Sequence, residues 1–333
     1  MLIRYALFIL LVFYVSFLGA QDFHFSNYRF APLTFNPANT GHFLGNLRLG
    51  ANARSQYSSF FSNPYQSVLA YVDAPLEFGL RKKDWVGIGL QLLHDKAGDL
   101  GYENNLLQLS GSYFIPLSKK NSEFLGIGFS YLLFNRKFAN AGNAIFPEMN
   151  GNDFSLLQSL NKNGADFNIG LNYKNRFKSN SYIKVDFALS YLKGKKFKGI
   201  NQENGILNKF NASFNYGYQF ENQKTILEGA AYYSKIDKFN DLSIQLIAYH
   251  KLRNERNNEI SINAGLGYRI GDALQFITGG QYKSWNLSFS WDMTISSAKF
   301  YNNYNGAFEL GLYKIFVIHK NPKLVPIIFC PRF

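Results

Sequence analysis

Alternation of apolar and polar residues, repeated along most of the chain, is the feature that most constrains its fold. Residues 182–192 read YIKVDFALSYL, in which every second residue is apolar and most residues between them are polar. The same alternation is found at 210–220, 260–270 and 285–292. Because successive side chains of a β-strand point to opposite faces, each segment predicts a strand with one apolar and one polar face.

Weaker versions of this pattern fill most of the remaining sequence. They lie at 44–54, 65–76, 85–96, 104–117, 123–136, 165–175, 224–235, 240–253, 272–283 and 304–317. The total is about fourteen strands, most of about ten or more residues, the length that a tilted strand needs to cross a bilayer. The sequence therefore predicts an all-β fold, a transmembrane antiparallel up-and-down β-barrel of about 14 strands.

The predicted connections differ in length in a regular way. Four of them are short and polar: SKKNSE (118–123), NRFKSN (175–180), ENQK (221–224) and RNERNN (253–258). The longest connections are residues 137–163 and 193–206, and each of them lies between two of these short connections along the chain. Outer-membrane barrels have short periplasmic turns and longer external loops, so this order predicts that both ends of the barrel domain lie in the periplasm.

A soluble β-sandwich or a lipocalin-like barrel is the alternative fold, since its strands alternate too. In such a fold the apolar face would form the inner core, and strands of about five to six residues would suffice. Long strands, an export signal and aromatic residues at or near strand ends favour the membrane barrel. These aromatic residues are Tyr113, Tyr131, Tyr191, Tyr268 and Trp285, and Tyr191 shares the apolar face of its segment.

The N-terminus has the pattern of an export signal. One cation, Arg4, precedes a mostly apolar run that ends in Gly19 and Ala20. This pattern predicts a secretory signal peptide, with an N-terminal membrane anchor as the alternative. The predicted domains are the signal peptide (1–20), a periplasmic lead segment rich in aromatic residues and proline (21–43), an outer-membrane barrel (44–318) and a C-terminal periplasmic tail (319–333).

Composition excludes several classes of function. In an exported chain, a net charge of +13 indicates contact with anionic lipid surfaces and polymers and argues against nucleic acid as a partner. The single cysteine, Cys330, excludes an internal disulfide and a multi-cysteine metal site. The five histidines show no His-x-x-x-His spacing, and no Gly-x-Ser-x-Gly motif is present. We therefore predict no enzyme, no cofactor and no metal site.

The polar faces of the predicted strands would line the barrel lumen. We predict that polar lumen residues bind a cargo segment, namely Arg48, Asn52, Arg54, Lys184, Asp186, Asn263, Arg269 and Glu309. Small residues on the same faces would leave room for such a segment: Gly87, Gly89, Gly126, Gly128, Gly170, Gly265 and Gly267. The alternative is that these polar groups only solvate each other.

Several motifs resemble those of a known family. They are QDFHFSNYRFAPLTFNPANTG (21–41), RSQYSSFFSNPYQSVLAYVDAPL (54–76), GIGLQLLHDKAG (87–98), GYRIGDALQFITGGQYK (267–283) and CPRF (330–333). In these motifs the chain resembles the PorP/SprF family of type IX secretion system outer-membrane proteins. The resemblance covers nearly the whole mature chain, and its most specific part is the N-terminal pattern of Asn36, Pro37, Ala38 and Gly41. The turn with Asp95, Lys96 and Gly98 and the terminal residues Cys330, Pro331, Arg332 and Phe333 reinforce it.

The resemblance implies a barrel that assists secretion or surface anchoring of large cargo proteins, such as gliding adhesins, through their C-terminal sorting domain. It also implies that periplasmic components of the secretion and motility machinery are partners, beside outer-membrane lipid. A diffusion porin or small-solute transporter, with basic lumen residues that select anions, is the alternative function. The lead segment would either plug the barrel or dock a periplasmic partner, and we expect it to pack in the lumen or at its rim.

Overall fold

The computed structural model describes twelve ranges of the chain: 24–58, 63–81, 83–98, 101–118, 122–139, 161–177, 180–194, 196–198, 203–205, 208–221, 224–255 and 258–317. Three predicted features lie outside these residues. They are the signal peptide (1–20), the tail (319–333) with its CPRF motif, and most of the long loop 137–163.

Fourteen antiparallel strands form a closed barrel. Its first seven strands are β1 (Leu47–Gln56), β2 (Tyr65–Leu76), β3 (Trp85–Ala97), β4 (Tyr102–Pro116), β5 (Glu123–Phe138), β6 (Lys162–Asn175) and β7 (Ser181–Ser190). A separate two-stranded sheet follows, made of β8 (Lys196–Lys198) and β9 (Glu203–Gly205). The barrel continues with β10 (Lys209–Gln219), β11 (Thr225–Ile236), β12 (Phe239–Glu255), β13 (Asn258–Arg269), β14 (Ala273–Tyr282), β15 (Trp285–Thr294) and β16 (Asn305–Phe316). Pairing of β1 with β16 closes the barrel.

The predicted strands agree with the observed ones in number and position. Each of the fourteen predicted segments coincides with one barrel strand, and the predicted segment 65–76 has the bounds of β2. The exposed fraction of Phe187 is 47%, whereas that of Asp186 is 1%. Apolar side chains therefore face outward, as lipid requires, and a soluble sandwich with an apolar core is excluded.

The two ends of the barrel differ in their connections. The strand ends that border the connections 77–84, 117–122, 176–180, 220–224, 256–257 and 283–284 lie at one end of the barrel, together with the start of β1 and the end of β16. The strand ends that border the longest connections, 139–161 and 191–208, lie at the other end. In outer-membrane barrels the short turns face the periplasm, so we refer to the first end as the periplasmic end and to the second as the outer end.

One aromatic residue faces the opposite way from its predicted direction. Alternation within 182–192 places Tyr191 outward, but only 6% of this residue is exposed. β7 ends at Ser190, and Tyr191 has a φ of 59°, which is a left-handed conformation. Its side chain lies in a buried cluster with Leu69, Leu132 and Phe134. The prediction was wrong because a period of two applies only while the backbone stays extended.

The helical elements are short. The lead segment contains a 3₁₀ turn (Tyr28–Phe30), a one-turn α-helix (Pro32–Phe35) and a second 3₁₀ turn (Pro37–Asn39). Another one-turn helix (Lys299–Asn302) lies in the connection between β15 and β16. No helix in the described part of the chain has both the length and the apolarity that a membrane span requires.

Candidate functional site in the barrel lumen

The lead segment lies inside the barrel along its described residues, 24–43. Pro32 and Pro37 occupy first positions of helical turns, where the fixed φ of proline is already suitable. The side chain of Asn36 accepts a hydrogen bond from the backbone N of Ala38 at 2.9 Å and caps the second 3₁₀ turn. Asn36 and Ala38 have exposed fractions of 0%. The Asn-Pro step thus folds the segment into compact turns within the lumen.

The lead segment runs from the outer end of the barrel toward the periplasmic end. Ser26 contacts Arg54 near the outer end of β1, whereas Gly41 contacts Asp73 near the periplasmic end of β2. The sequence predicts that this segment packs in the lumen or at its rim, and its described residues lie in the barrel interior.

A buried charged cluster holds the outer end of the lead segment. We define this outer cluster as Ser26, Arg54, Arg269, Asp292 and Glu309. The backbone N of Ser26 donates to Glu309 Oε2 at 2.7 Å, and Ser26 Oγ donates to Asp292 Oδ2 at 2.6 Å. Ser26 Oγ also accepts from Arg54 at 2.6 Å and from Arg269 at 3.0 Å. Both arginines lie within ion-pair distance of Asp292, so the buried charges are matched.

A second polar network holds the middle of the lead segment against β6 and β7. Asp186 accepts from Asn36 at 3.1 Å and from Asn172 at 2.6 Å, both on Oδ1. Its Oδ2 lies 3.1 Å from the ammonium of Lys184. Lys184 also donates to Asn39 Oδ1 at 2.9 Å. The lead segment therefore supplies two of the amide groups that this network needs.

A third contact holds the periplasmic end of the lead segment. Arg48 donates through Nε and Nη2 to the two carboxylate oxygens of Asp73 at 2.9 and 2.7 Å. Asp73 Oδ2 accepts from the backbone N of Gly41 at 2.7 Å. Gly41 has a φ of 67°, and a Cβ there would lie 2.7 Å from the Cα of Gly87. Only glycine satisfies both conditions, which explains why this motif position is a glycine.

Glycines on the lumen face create the space that the lead segment occupies. A Cβ on Gly128 would lie 2.2 Å from the backbone N of Ala38, and a Cβ on Gly170 would lie 1.9 Å from Asn36 Oδ1. These distances are far below van der Waals contact. The predicted room on the lumen face is therefore filled at these positions by the chain's own lead segment.

Apolar contacts add to the polar ones. Leu33 has an exposed fraction of 0% and belongs to a cluster with Leu69, Leu93, Leu106 and Leu132, which lie on the lumen faces of β2 to β5. The lumen is thus not polar throughout, although alternation had indicated a polar lining. On the opposite wall, the ring of Tyr28 stacks on Tyr232 with a centroid distance of 4.2 Å. Burial of these side chains favours the plugged arrangement.

The sequence of residues 18–313 matches the model of a family described as type IX secretion system membrane protein PorP/SprF. The chain belongs to the PorP/SprF family. This family and the barrel fold identify an outer-membrane component of the type IX secretion system, which acts together with other secretion components. No curated protein matches the sequence.

Solved outer-membrane barrels share the fold of this PorP/SprF family member. A FadL homologue of Pseudomonas aeruginosa has a TM-score of 0.52 at 10% identity, with 84% of this chain and 93% of that chain covered. A deltaS2 mutant of the TodX monoaromatic hydrocarbon channel has a TM-score of 0.53 at 8% identity, with 87% and 94% covered. At such low identity the likeness concerns the fold alone.

The residues predicted to bind cargo face the lumen of this PorP/SprF barrel, and most of them contact the lead segment. Hydrogen bonds or ion pairs connect it directly to Arg48, Arg54, Lys184, Asp186, Arg269 and Glu309. Asn52 donates to Glu309 at 2.8 Å and so belongs to the same network. Asn263 lies elsewhere on the lumen wall, with its amide nitrogen beside Gly279.

Of the family motif Asp95, Lys96 and Gly98, the first two residues belong to the last part of β3 near the outer end, and only Gly98 lies in the turn that follows the strand. Gly98 has a φ of 66°, which a residue with a side chain adopts with difficulty. Asp95 accepts a hydrogen bond from Ser67 Oγ of the neighbouring strand at 2.5 Å. These contacts indicate that the motif shapes a connection of the barrel.

Sequence reasoning missed two groups that complete the lumen networks. Asp73 is the only charged residue of β2, so its isolation in this strand was a usable signal. Ser26 gave no such signal, because a single serine in an irregular segment has no periodic pattern that would place it.

A periplasmic turn, residues 77–84, is fixed by contacts to β4. The hydroxyl of Tyr113 accepts from the backbone N of Leu80 at 2.8 Å and donates to Asp84 Oδ2 at 2.5 Å. Arg81 Nε donates to Asp84 at 3.1 Å. The hydrogen bond from Arg81 is the main reason that the pKa of Asp84 lies below its usual value.

Proposed function

We propose that this PorP/SprF family member is a closed anchor in the outer membrane. In this function the barrel assists the secretion or surface retention of large secreted proteins, including gliding adhesins, through their C-terminal domains. The single observation that carries the proposal is the packing of the lead segment in the lumen, with Ser26 inside the outer cluster. A barrel whose lumen is filled by its own lead segment is better suited to the attachment of secreted proteins than to the diffusion of solutes.

In this proposal, the polar lumen residues retain the lead segment and contribute to cargo retention only indirectly. A cargo segment that bound Arg54 or Glu309 would first have to displace Ser26 from buried hydrogen bonds. Loss of these contacts leaves hydrogen-bonding groups of the buried charged side chains unsatisfied, at a cost of about 1–3 kcal/mol for each lost hydrogen bond. We therefore place the cargo contact on the outer connections of the barrel.

The connection between β15 and β16 offers suitable groups for this contact. Its short helix carries Phe300 and Tyr301 with exposed fractions of 75% and 70%. Two consecutive residues after the helix, Asn303 and Tyr304, have positive φ values of 49° and 65°. Backbone strain of this kind persists where the surrounding structure maintains it, often at functional surfaces. Exposed aromatic residues are frequent anchors of protein interfaces.

A double substitution tests the cargo contact. We expect Phe300→Ser with Tyr301→Ser to reduce the amount of a surface protein retained by its C-terminal domain, measured by flow cytometry of intact cells. Phe78→Ser is the matched control, because Phe78 is an exposed aromatic (62%) at the periplasmic end. Equal retention in both variants, at equal amounts of folded barrel, contradicts the proposed contact.

Conductance separates the closed anchor from the porin alternative. We expect the purified full chain in planar bilayers to show no steady open pore. A steady, large conductance without cargo would support a diffusion porin and contradict the closed anchor. The lumen arginines would then select anions, and reversal potentials in a salt gradient would report that preference.

A further inference from the structure

A cavity of about 340 Å³ lies between the lead segment and the barrel wall on the periplasmic side. Its walls include Lys174 and Tyr182, which flank the periplasmic turn 176–180, and Tyr313 near the end of β16. We name it the periplasmic cavity. Arg29 and Lys184 also line it, and their side chains keep exposed fractions of 26% and 24% although they lie within the barrel. Solvent therefore reaches these cations.

Two lysines face each other directly in the wall of this cavity. Lys174 of β6 and Lys184 of β7 are register partners, so their side chains leave the sheet side by side on the same face. Like charges in this arrangement destabilise a sheet. Lys184 is compensated by Asp186 at 3.1 Å. Lys174 has no ion pair among the described residues, and its ammonium lies 5.5 Å from the ring centroid of Tyr182.

Every carboxylate oxygen that lines the cavity already accepts a hydrogen bond. Asp186 accepts from Asn36 and Asn172 on Oδ1, and from Lys184 and Ser213 on Oδ2. Glu228 accepts from Arg29 on one oxygen and from the hydroxyl of Tyr182 on the other. An ammonium has three donors and a guanidinium has five, so the cations retain donors after these bonds are made. The cavity therefore offers a ligand mainly hydrogen-bond donors, and these donors belong to cationic groups.

We propose that the periplasmic cavity binds an oxyanion, a phosphate or carboxylate group, between Lys174 and Lys184. The bound anion relieves the repulsion between the two ammonium groups and accepts charge-assisted hydrogen bonds from them. Its source is either a free small anion or the same group on a larger periplasmic molecule. This site does not depend on the proposed cargo contact, which lies at the outer end.

Isothermal titration of the full chain in detergent tests the site, with inorganic phosphate and succinate as separate probes. We expect saturable binding of at least one probe that weakens as ionic strength rises. Binding of phosphate alone assigns the site to phosphate groups, and binding of succinate alone assigns it to carboxylates. Absence of binding for both probes overturns the proposal.

Substitutions locate the binding. We expect Lys174→Gln to weaken binding about tenfold or more, as loss of one charge-assisted hydrogen bond implies. Lys174→Arg keeps the charge and should bind within about threefold of the original chain, a change of under one kcal/mol. Lys162→Gln is the matched control, because Lys162 lies on the same strand at the outer end. Unchanged binding in Lys174→Gln, with the barrel folded, overturns the assignment.

Discussion

At the outer end of the lumen, each arginine of the outer cluster faces a carboxylate, whereas at the periplasmic end Lys174 faces Lys184. Arg54 and Arg269 both lie within 3.3 Å of Asp292, and their side chains are only 4% exposed. Lys174, in contrast, has no ion pair among the described residues and lines the periplasmic cavity beside Lys184, which is 24% exposed. Matched buried charges suit permanent attachment of the lead segment, while unmatched accessible charges suit exchange with a ligand. The four substitutions that follow probe this difference.

The largest expected effect is at the outer cluster. Arg54→Ala leaves Asp292 and Glu309 short of a buried partner, so we expect the free energy of unfolding to fall by about 3–5 kcal/mol. Urea unfolding in detergent, followed by tryptophan fluorescence, measures the change. The control is Lys137→Ala, because Lys137 pairs with Glu103 at 3.0 Å but is 45% exposed. The control should lose less than about 1 kcal/mol, and equal losses contradict the assigned role of the outer cluster.

A smaller effect is expected where the lead segment crosses the glycines of β5. In Gly128→Ala, the new Cβ would overlap the backbone of Ala38, so we expect destabilisation by about 1–3 kcal/mol and a new steady conductance from displacement of the lead segment. Planar-bilayer recordings measure the second change. Gly229→Ala is the control, since no heavy atom lies within 4 Å of a Cβ there. A Gly128→Ala barrel with no steady conductance and with unchanged stability contradicts close packing between Gly128 and the lead segment.

The aromatic contact nearer the periplasmic cavity should contribute less. Tyr28→Leu removes a stacked pair with Tyr232 and should lower the free energy of unfolding by about 0.5–1.5 kcal/mol beyond the lost area. The comparison is Tyr268→Leu, since Tyr268 is 41% exposed on the outward face. If both tyrosine variants show the same stability in the urea assay, the stack does not hold the lead segment.

The smallest expected effect has the opposite sign. In buffer free of phosphate and carboxylates, Lys174→Met removes the repulsion with Lys184 and should raise the free energy of unfolding by about 0.2–1 kcal/mol. Lys209→Met, at the outer end of β10, should give no such gain, because the register partners of Lys209 are the uncharged residues Ser190 and Ile236. A loss of stability in Lys174→Met would show that Lys174 has a structural partner and would weaken the contrast between the two ends.

The sequence by itself determined the barrel, the number of its strands and the direction of most side chains. Alternation is a local property of an extended backbone, so the outward position of Phe187 and the inward position of Asp186 followed without knowledge of any neighbour. The Asn36-Pro37 step likewise indicated a break in extended structure, which became a capped turn. Tyr191 shows the limit of this reasoning, because one left-handed residue reversed the expected direction.

Only the tertiary structure decided what the inward groups do. Ser26 and Glu309 are 283 residues apart, and their hydrogen bond exists because closure of the barrel brings β16 beside β1 while the lead segment lies within. The facing of Lys174 and Lys184 depends on the register of two strands, which their composition does not specify. Such contacts are non-local, because they depend on which strands become neighbours, on the register of their pairing and on the path of the lead segment through the lumen.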